Sequence, residues 1–317
     1  MKKQSIFYIV VALFLIILGV FALVGRNGPA NSGRSDSERN FPQVPERNAT
    51  ARGFENVGVD SAGVGSVKVF SDHMLTKYNQ SKNIRDFVFQ ALQHPEFGGI
   101  YYATDALKKC QNFLLNSKSS QAMQSKNQTG IQYAAISGAA DFLQSRCGGL
   151  LPTDFSNEHI EEILSSDASK KDPLLKLSKE IKNLTSSDPE KRSRSLEGIL
   201  LSGDPLVVQE AGSRIALQTD AKTGARGYRF EGDFYPIHAE PDVGLALYIL
   251  PCSLGLDCGN TDWEVAVRCA NGAECASSRQ EIVANMLSNR PGSYQKVMDI
   301  SLRMARAIQQ GNIAAFQ

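Results

Sequence analysis

Apolar and polar positions divide the chain into three regimes. From Ile6 to Val24 the sequence is apolar without a single charge, preceded by Lys2 and Lys3 and followed by Arg26. About 20 apolar residues in a helix span a bilayer, so residues 1–25 are predicted to be a transmembrane signal-anchor. With the two lysines held on the cytoplasmic side, the remainder faces outward. The rival reading is a cleaved signal peptide, for which Val20-Phe21-Ala22 is a passable small-residue cleavage site. No cysteine lies near the end of the run, so lipoprotein processing has no nucleophile to acylate. Both readings export the rest of the chain.

From residue 26 to 65 the pattern disappears into Gly, Ser, Asn, Arg and Pro, as in Asn27-Gly28-Pro29-Ala30-Asn31-Ser32-Gly33-Arg34. So little apolar surface cannot offset the entropy of ordering, and a flexible linker is predicted.

Residues 66–317 are predicted to form one helical extracytoplasmic domain, because apolar positions recur there at helical spacing. Ala103, Leu107, Cys110 and Leu114 form one stripe, and Ile136, Ala140, Leu143 and Cys147 another. Leu174, Leu177, Ile181 and Leu184 form a third. Asp172-Pro173, Asp188-Pro189 and Asp204-Pro205 each place a capping carboxylate before a proline suited to the first helical position. These pairs are 16 residues apart, which suggests short helices stacked as hairpins, although Asp-Pro is also a common helix opener without any repeat. Further helices are predicted over Val243 to Cys252, from Thr261 with Glu264, from Ser278 with Glu281, and over Ser293 to Gln310. The last carries Val297, Ile300, Met304 and Ile308 on one face. The fold class is therefore all-α. One small β-hairpin is predicted where Tyr228, Phe230, Phe234 and Tyr235 flank Glu231-Gly232-Asp233.

Charge narrows the partners. A formal net charge of +1 over 317 residues gathers neither nucleic acid nor anionic lipid, so nucleic acid is not an expected partner. The expected partners are the membrane, through the N-terminal helix, and an envelope protein.

All six cysteines lie in the exported part, where an oxidising compartment favours disulfides. Cys252, Cys258, Cys269 and Cys275 are spaced symmetrically, which leaves Cys110 and Cys147 as the third pair. In a simple antiparallel hairpin Cys110 would lie near the connection and Cys147 at the end of the second helix, about 25 Å away. A disulfide needs Cα atoms within about 7 Å, so this pair requires a long connection through residues 115–129 or a crossing of the second helix. Two buried thiols are the alternative. Zinc competes for the C-terminal four, but five-residue gaps fit structural zinc sites poorly. No metal or other cofactor is predicted. No Cys-x-x-Cys occurs, which argues against a thiol oxidoreductase.

Leu250-Pro251-Cys252-Ser253-Leu254-Gly255-Leu256-Asp257-Cys258, followed by Cys269 and Cys275, resembles the tail of a group of uncharacterised proteobacterial exported proteins. Arg146-Cys147-Gly148 is similar to the end of their upstream helix. The resemblance covers about 100 residues and implies no activity, substrate or cofactor. Together with the N-terminal anchor, the expected location is the bacterial inner membrane with the domain in the periplasm, or outside the cell if the signal is cleaved.

Candidate chemistry is sparse. His159-Ile160-Glu161-Glu162-Ile163 lacks the second histidine of a zinc-protease helix, and His73, His94 and His238 read as surface or capping residues. Lys222-Thr223-Gly224 has no serine-x-x-lysine nucleophile to serve and reads as a turn. Glu231 and Asp233, flanked by aromatic rings, are the only catalytic candidates: paired carboxylates cleave glycosides when one is buried enough to stay protonated. Their bland reading is a solvated turn. Trp263, the single tryptophan, reads as packing beside a disulfide. Together these features predict a non-catalytic, membrane-anchored envelope protein that binds or scaffolds another protein. A cell-wall glycan hydrolase is the alternative, or a secreted effector if the signal is removed.

Overall fold

The computed structural model describes residues 73–124 and 130–317, with the side chains of residues 116–124 and 131 left aside. The predicted membrane segment and linker lie outside the described residues. Among the described residues no helix is long and apolar enough to cross a membrane. The described residues fall in one compact unit and share one core that extends from Met74 to Phe316.

A short helix over residues 73–80 (α1) leads into α2 (Ile84–Ala91), capped by Asn83, whose side chain accepts from the amides of Arg85 and Asp86. Gly98 turns the chain at φ 81°, and α3 (Gly99–Gln124) starts so close to α2 that a Cβ at Gly99 would collide with the Ala91 carbonyl oxygen. Next come α4 (Gly130–Cys147) and α5 (Asn157–Ser165). The Asp-Pro signals hold at all three places: α6 (Pro173–Glu180), α7 (Pro189–Ser202) and α8 (Pro205–Ala211) each begin at the proline, with Asp172, Asp188 and Asp204 as N-caps. The third predicted stripe stays buried at Leu174, Ile181 and Leu184, but the helix tightens into a 3-10 turn at Ile181–Thr185.

The sheet is larger than one hairpin. Strands β1 (Leu217–Thr219), β2 (Arg226–Phe230) and β3 (Asp233–Pro236) form an antiparallel meander. Phe230 pairs with Asp233 across a two-residue turn in which Glu231 (φ 52°) and Gly232 (φ 85°) both adopt the left-handed conformation that matches strand twist. Helix α9 (Pro241–Ser253) follows, then α10 (Trp263–Ala270), capped by Asp262 and not by Thr261 as the capping-box spacing suggested. Helices α11 (Arg279–Met286) and α12 (Ser293–Gln309) agree with expectation, and Val297, Ile300, Met304 and Ile308 are all buried.

Packing runs across the sequence. Helix α4 packs against α10, more than a hundred residues away, while α9 packs on α12. Long-range tyrosine bonds tie α3 to the caps of α6 and α8, as Tyr101 donates its amide to Asp172 (2.9 Å) and Tyr102 its hydroxyl to Asp204 (2.8 Å). A row of stacked hairpins would contact mainly its neighbours; here the equal spacing of the Asp-Pro pairs marks three helix starts within a non-repetitive array.

All three disulfides are formed: Cys110–Cys147, Cys252–Cys258 and Cys269–Cys275. The geometric objection to the first dissolves because α3 does not stop near Cys110. It continues fourteen residues beyond, while Cys147 lies seventeen residues into α4. Both cysteines are therefore about 21 to 26 Å from the helix–helix connection, and their Cα atoms lie 5.6 Å apart.

Candidate functional site

Four residues of α2, Ile84, Phe87, Val88 and Ala91, are buried, which fixes the helix's orientation and leaves Phe89 pointing outward with 69% of its surface exposed. Across from it, Gly148 and Gly149 end α4, and the chain turns through Leu150 and Leu151 into α5. Asp154 holds that turn by accepting from the Leu151 amide at 2.9 Å. Between α2 and the turn lies a groove of about 450 Å³, with Leu107 of α3, Val88 and Leu150 among its lining residues. That volume is within the usual range for ligand pockets. Phe89 lines the groove.

The rim is charged but loosely committed. Arg85 faces Asp154 at 3.7 Å, with both side chains partly exposed, so the pair contributes little stability. His159 at the opposite rim lies 3.4 Å from Glu162, one turn along α5. The arrangement offers an apolar floor, an exposed ring and an exchangeable guanidinium.

Charge is also buried elsewhere in the domain. Tyr78 donates to Asp105 (2.9 Å), and Lys109 bonds both Asp105 (2.9 Å) and the Tyr78 hydroxyl (2.9 Å). Burial, reinforced by the Asp105 charge, pushes the Tyr78 phenol up to about 12. Burial alone would lower Lys109, but Asp105 and Tyr78 outweigh it and hold the ammonium above the usual lysine range. Arg146 donates to the carbonyls of Tyr78 (3.0 Å) and Thr261 (3.2 Å). Nearby, Arg279 grips Asp262 with Nε (3.0 Å) and Nη2 (2.8 Å), both side chains being almost wholly buried. These groups converge on a cavity of about 10 Å³, too small for a substrate, so they fasten α1, α3, α4 and α10 together.

The catalytic candidates are placed differently. Glu231 and Asp233 are both exposed at the hairpin tip. Glu231 is ion-paired to Arg303 of α12, and its amide donates to the Ala315 carbonyl at 2.7 Å; Asp233 lies 3.4 Å from the Tyr235 hydroxyl. The Glu231 pair pins the turn to the C-terminal helix. Both carboxyls stand exposed on the two-residue turn and its flank, so their place is that of turn residues. Trp263 packs edge-on against Phe113 at 6.3 Å, and the six cysteines are structural bridges. Sequence reasoning missed Phe89, Arg85 and the buried pairs, whose partners lie on separate elements. The one usable signal was the Asp262 cap.

No protein-family model, curated protein or solved structure matches this chain.

Proposed function

We propose that this chain is a membrane-anchored envelope protein whose helical domain binds another protein through the groove between α2 and the Leu150–Asp154 turn. Its occupant is a short partner segment that sets a large apolar side chain beside Phe89 and an acidic side chain against Arg85. The observation that carries this reading is Phe89, held in water by a helix whose other apolar residues are buried. Covering one large apolar side chain is worth about 1.5 to 3 kcal/mol, so its exposure marks a surface that gains by being covered. The weak Arg85–Asp154 pair lets a partner carboxylate replace Asp154 at small cost. Three disulfides support an oxidising compartment, and the basic, then apolar, start supports an inner-membrane anchor with the domain in the periplasm.

The test is photo-crosslinking in intact envelopes, with the reactive residue at position 89 and, as control, at position 222 on the β1–β2 turn. A discrete adduct at 89, absent at 222 and weakened by Arg85→Glu, is the expected result. Equal labelling at both positions, or none at 89, would discard the docking groove.

A further inference from the structure

A second pocket, of about 370 Å³, opens where the start of α7 meets β1 and the 3-10 turn Ile313–Phe316. Leu196 and Phe316, both buried, form its floor, with the Phe316 ring held 5.3 Å from that of Phe230, and Pro189 adds apolar wall. Among the described residues that line it, Arg192 alone is charged.

Strand β1 fixes where that charge sits. Toward β2, the Ala216 carbonyl accepts from the Arg229 amide (2.8 Å) and the Asp220 amide donates to the Ala225 carbonyl (2.8 Å). The alternation of an antiparallel ladder therefore turns the Leu217 carbonyl the other way, to the edge that carries no further strand among the described residues. Arg192 bonds that carbonyl through Nη2 at 2.7 Å. Among the described residues no carboxylate pairs with this guanidinium, and burial pushes it below the usual arginine range with no neighbouring charge opposing. In this it differs from Arg194, which faces Glu190 at 3.8 Å, and from the buried Arg279, neutralised by Asp262. Nε and Nη1 of Arg192 have no protein acceptor, and neither atom is buried. Whichever Nη2 proton Leu217 takes, a fork of two N–H groups remains free. Beside it, Ser193 Oγ accepts from Gln317 Nε2 at 2.9 Å, which leaves the hydroxyl proton to donate.

We propose that this pocket binds a small organic monocarboxylate with an apolar body, its carboxylate on the free fork of Arg192 and the Ser193 hydroxyl, and its body over Leu196 and Phe316. One uncompensated positive charge matches one negative charge. A phosphomonoester brings a second that nothing in the lining meets, and a carboxamide of the same shape loses the charge-assisted pair of bonds. The guanidinium is already tethered at Leu217, so little of its freedom is lost on binding.

The experiment is equilibrium dialysis of the purified full-length chain against radiolabelled phenylacetate, with acetate, phenylacetamide and inorganic phosphate as competitors. The expected result is one phenylacetate per chain, with each competitor at least tenfold weaker. Arg192→Gln is expected to weaken phenylacetate at least tenfold, and Arg194→Gln, two residues away and exposed, to leave it unchanged. Because Arg192→Gln also removes the tether to β1, the wild-type chain is photolabelled in parallel with 4-benzoylbenzoate and digested; the adduct should fall on the peptides carrying Leu196 or Phe316 and be suppressed by phenylacetate. Absence of phenylacetate binding, equal competition by phenylacetamide or phosphate, equal loss in the two arginine variants, or an adduct elsewhere in the chain would each overturn the proposal.

Discussion

At the scale of single residues, identical sequence signals lead to different physics. Asp172, Asp188 and Asp204 all cap helices before a proline, but Asp188 is exposed while the other two are fully buried. Burial pushes the Asp204 carboxyl up to about 6 from 3.8, against the opposing pull of two backbone amides and the Tyr102 hydroxyl. Folding thus penalises the charged form. The group's contribution is greatest below about pH 4, where it is protonated in both states, and is lost as pH rises through about 6, by about 3 kcal/mol in all. Asp204→Asn keeps a capping oxygen and removes the charge. In urea titrations the stability of wild type relative to this variant should fall between pH 4 and pH 7; a constant difference would contradict the buried-carboxylate account. Asp262 is the opposite case, since its charge is matched by Arg279. Asp262→Asn should cost about 3 to 5 kcal/mol by stranding the guanidinium, and the double variant with Arg279→Met should lose less than the two single losses combined. Additive losses would show that the pair is not coupled. Capping roles are legible because they depend on three successive residues. Burial is not, because it depends on Tyr102, which is 102 residues from Asp204, and on Arg279, which is 17 from Asp262.

At the scale of elements, the same contrast governs the disulfides and the sheet. Helical stripes revealed where α3 and α4 face the core, but their lengths decide whether Cys110 and Cys147 meet, and the polar stretch after Leu115 gave no apolar period by which to extend α3. The hairpin at Glu231 was legible from its turn residues and alternating rings, whereas β1 is three residues, Leu217-Gln218-Thr219, too short to show a period. The bridges are not equivalent. Cys110–Cys147 spans a sequence separation of 37, while Cys252–Cys258 and Cys269–Cys275 each span 6. Loop-closure entropy gives about 4 kcal/mol for the first and about 2 kcal/mol for each of the others. Paired Cys→Ala variants should therefore rank in that order by denaturant midpoint at constant slope. A larger loss from either short loop would mean that native packing around it, and not chain entropy, dominates.

At the scale of the whole molecule, a continuous core can be expected from an ordinary apolar fraction, but surfaces such as the α2–α5 groove arise where elements distant in sequence leave a gap. Neither Phe89 nor Arg279 stands out in its local sequence: Phe89 continues a run of apolar residues, and Arg279 looks like any basic residue in a first helical turn. What the sequence does offer at this scale is a link between export and oxidation. In the proposed location, residues 1–25 carry every cysteine into a compartment where all six form bridges; a chain made without those residues stays among cytosolic reductants. Alkylation of intact cells under denaturing, non-reducing conditions, followed by intact mass, reads this directly. The full-length chain should take up no label until it is reduced and then six equivalents, and the chain lacking residues 2–25 should take up six at once. Label on the untreated full-length chain would place the domain on the reducing side of the membrane and reverse the proposed topology.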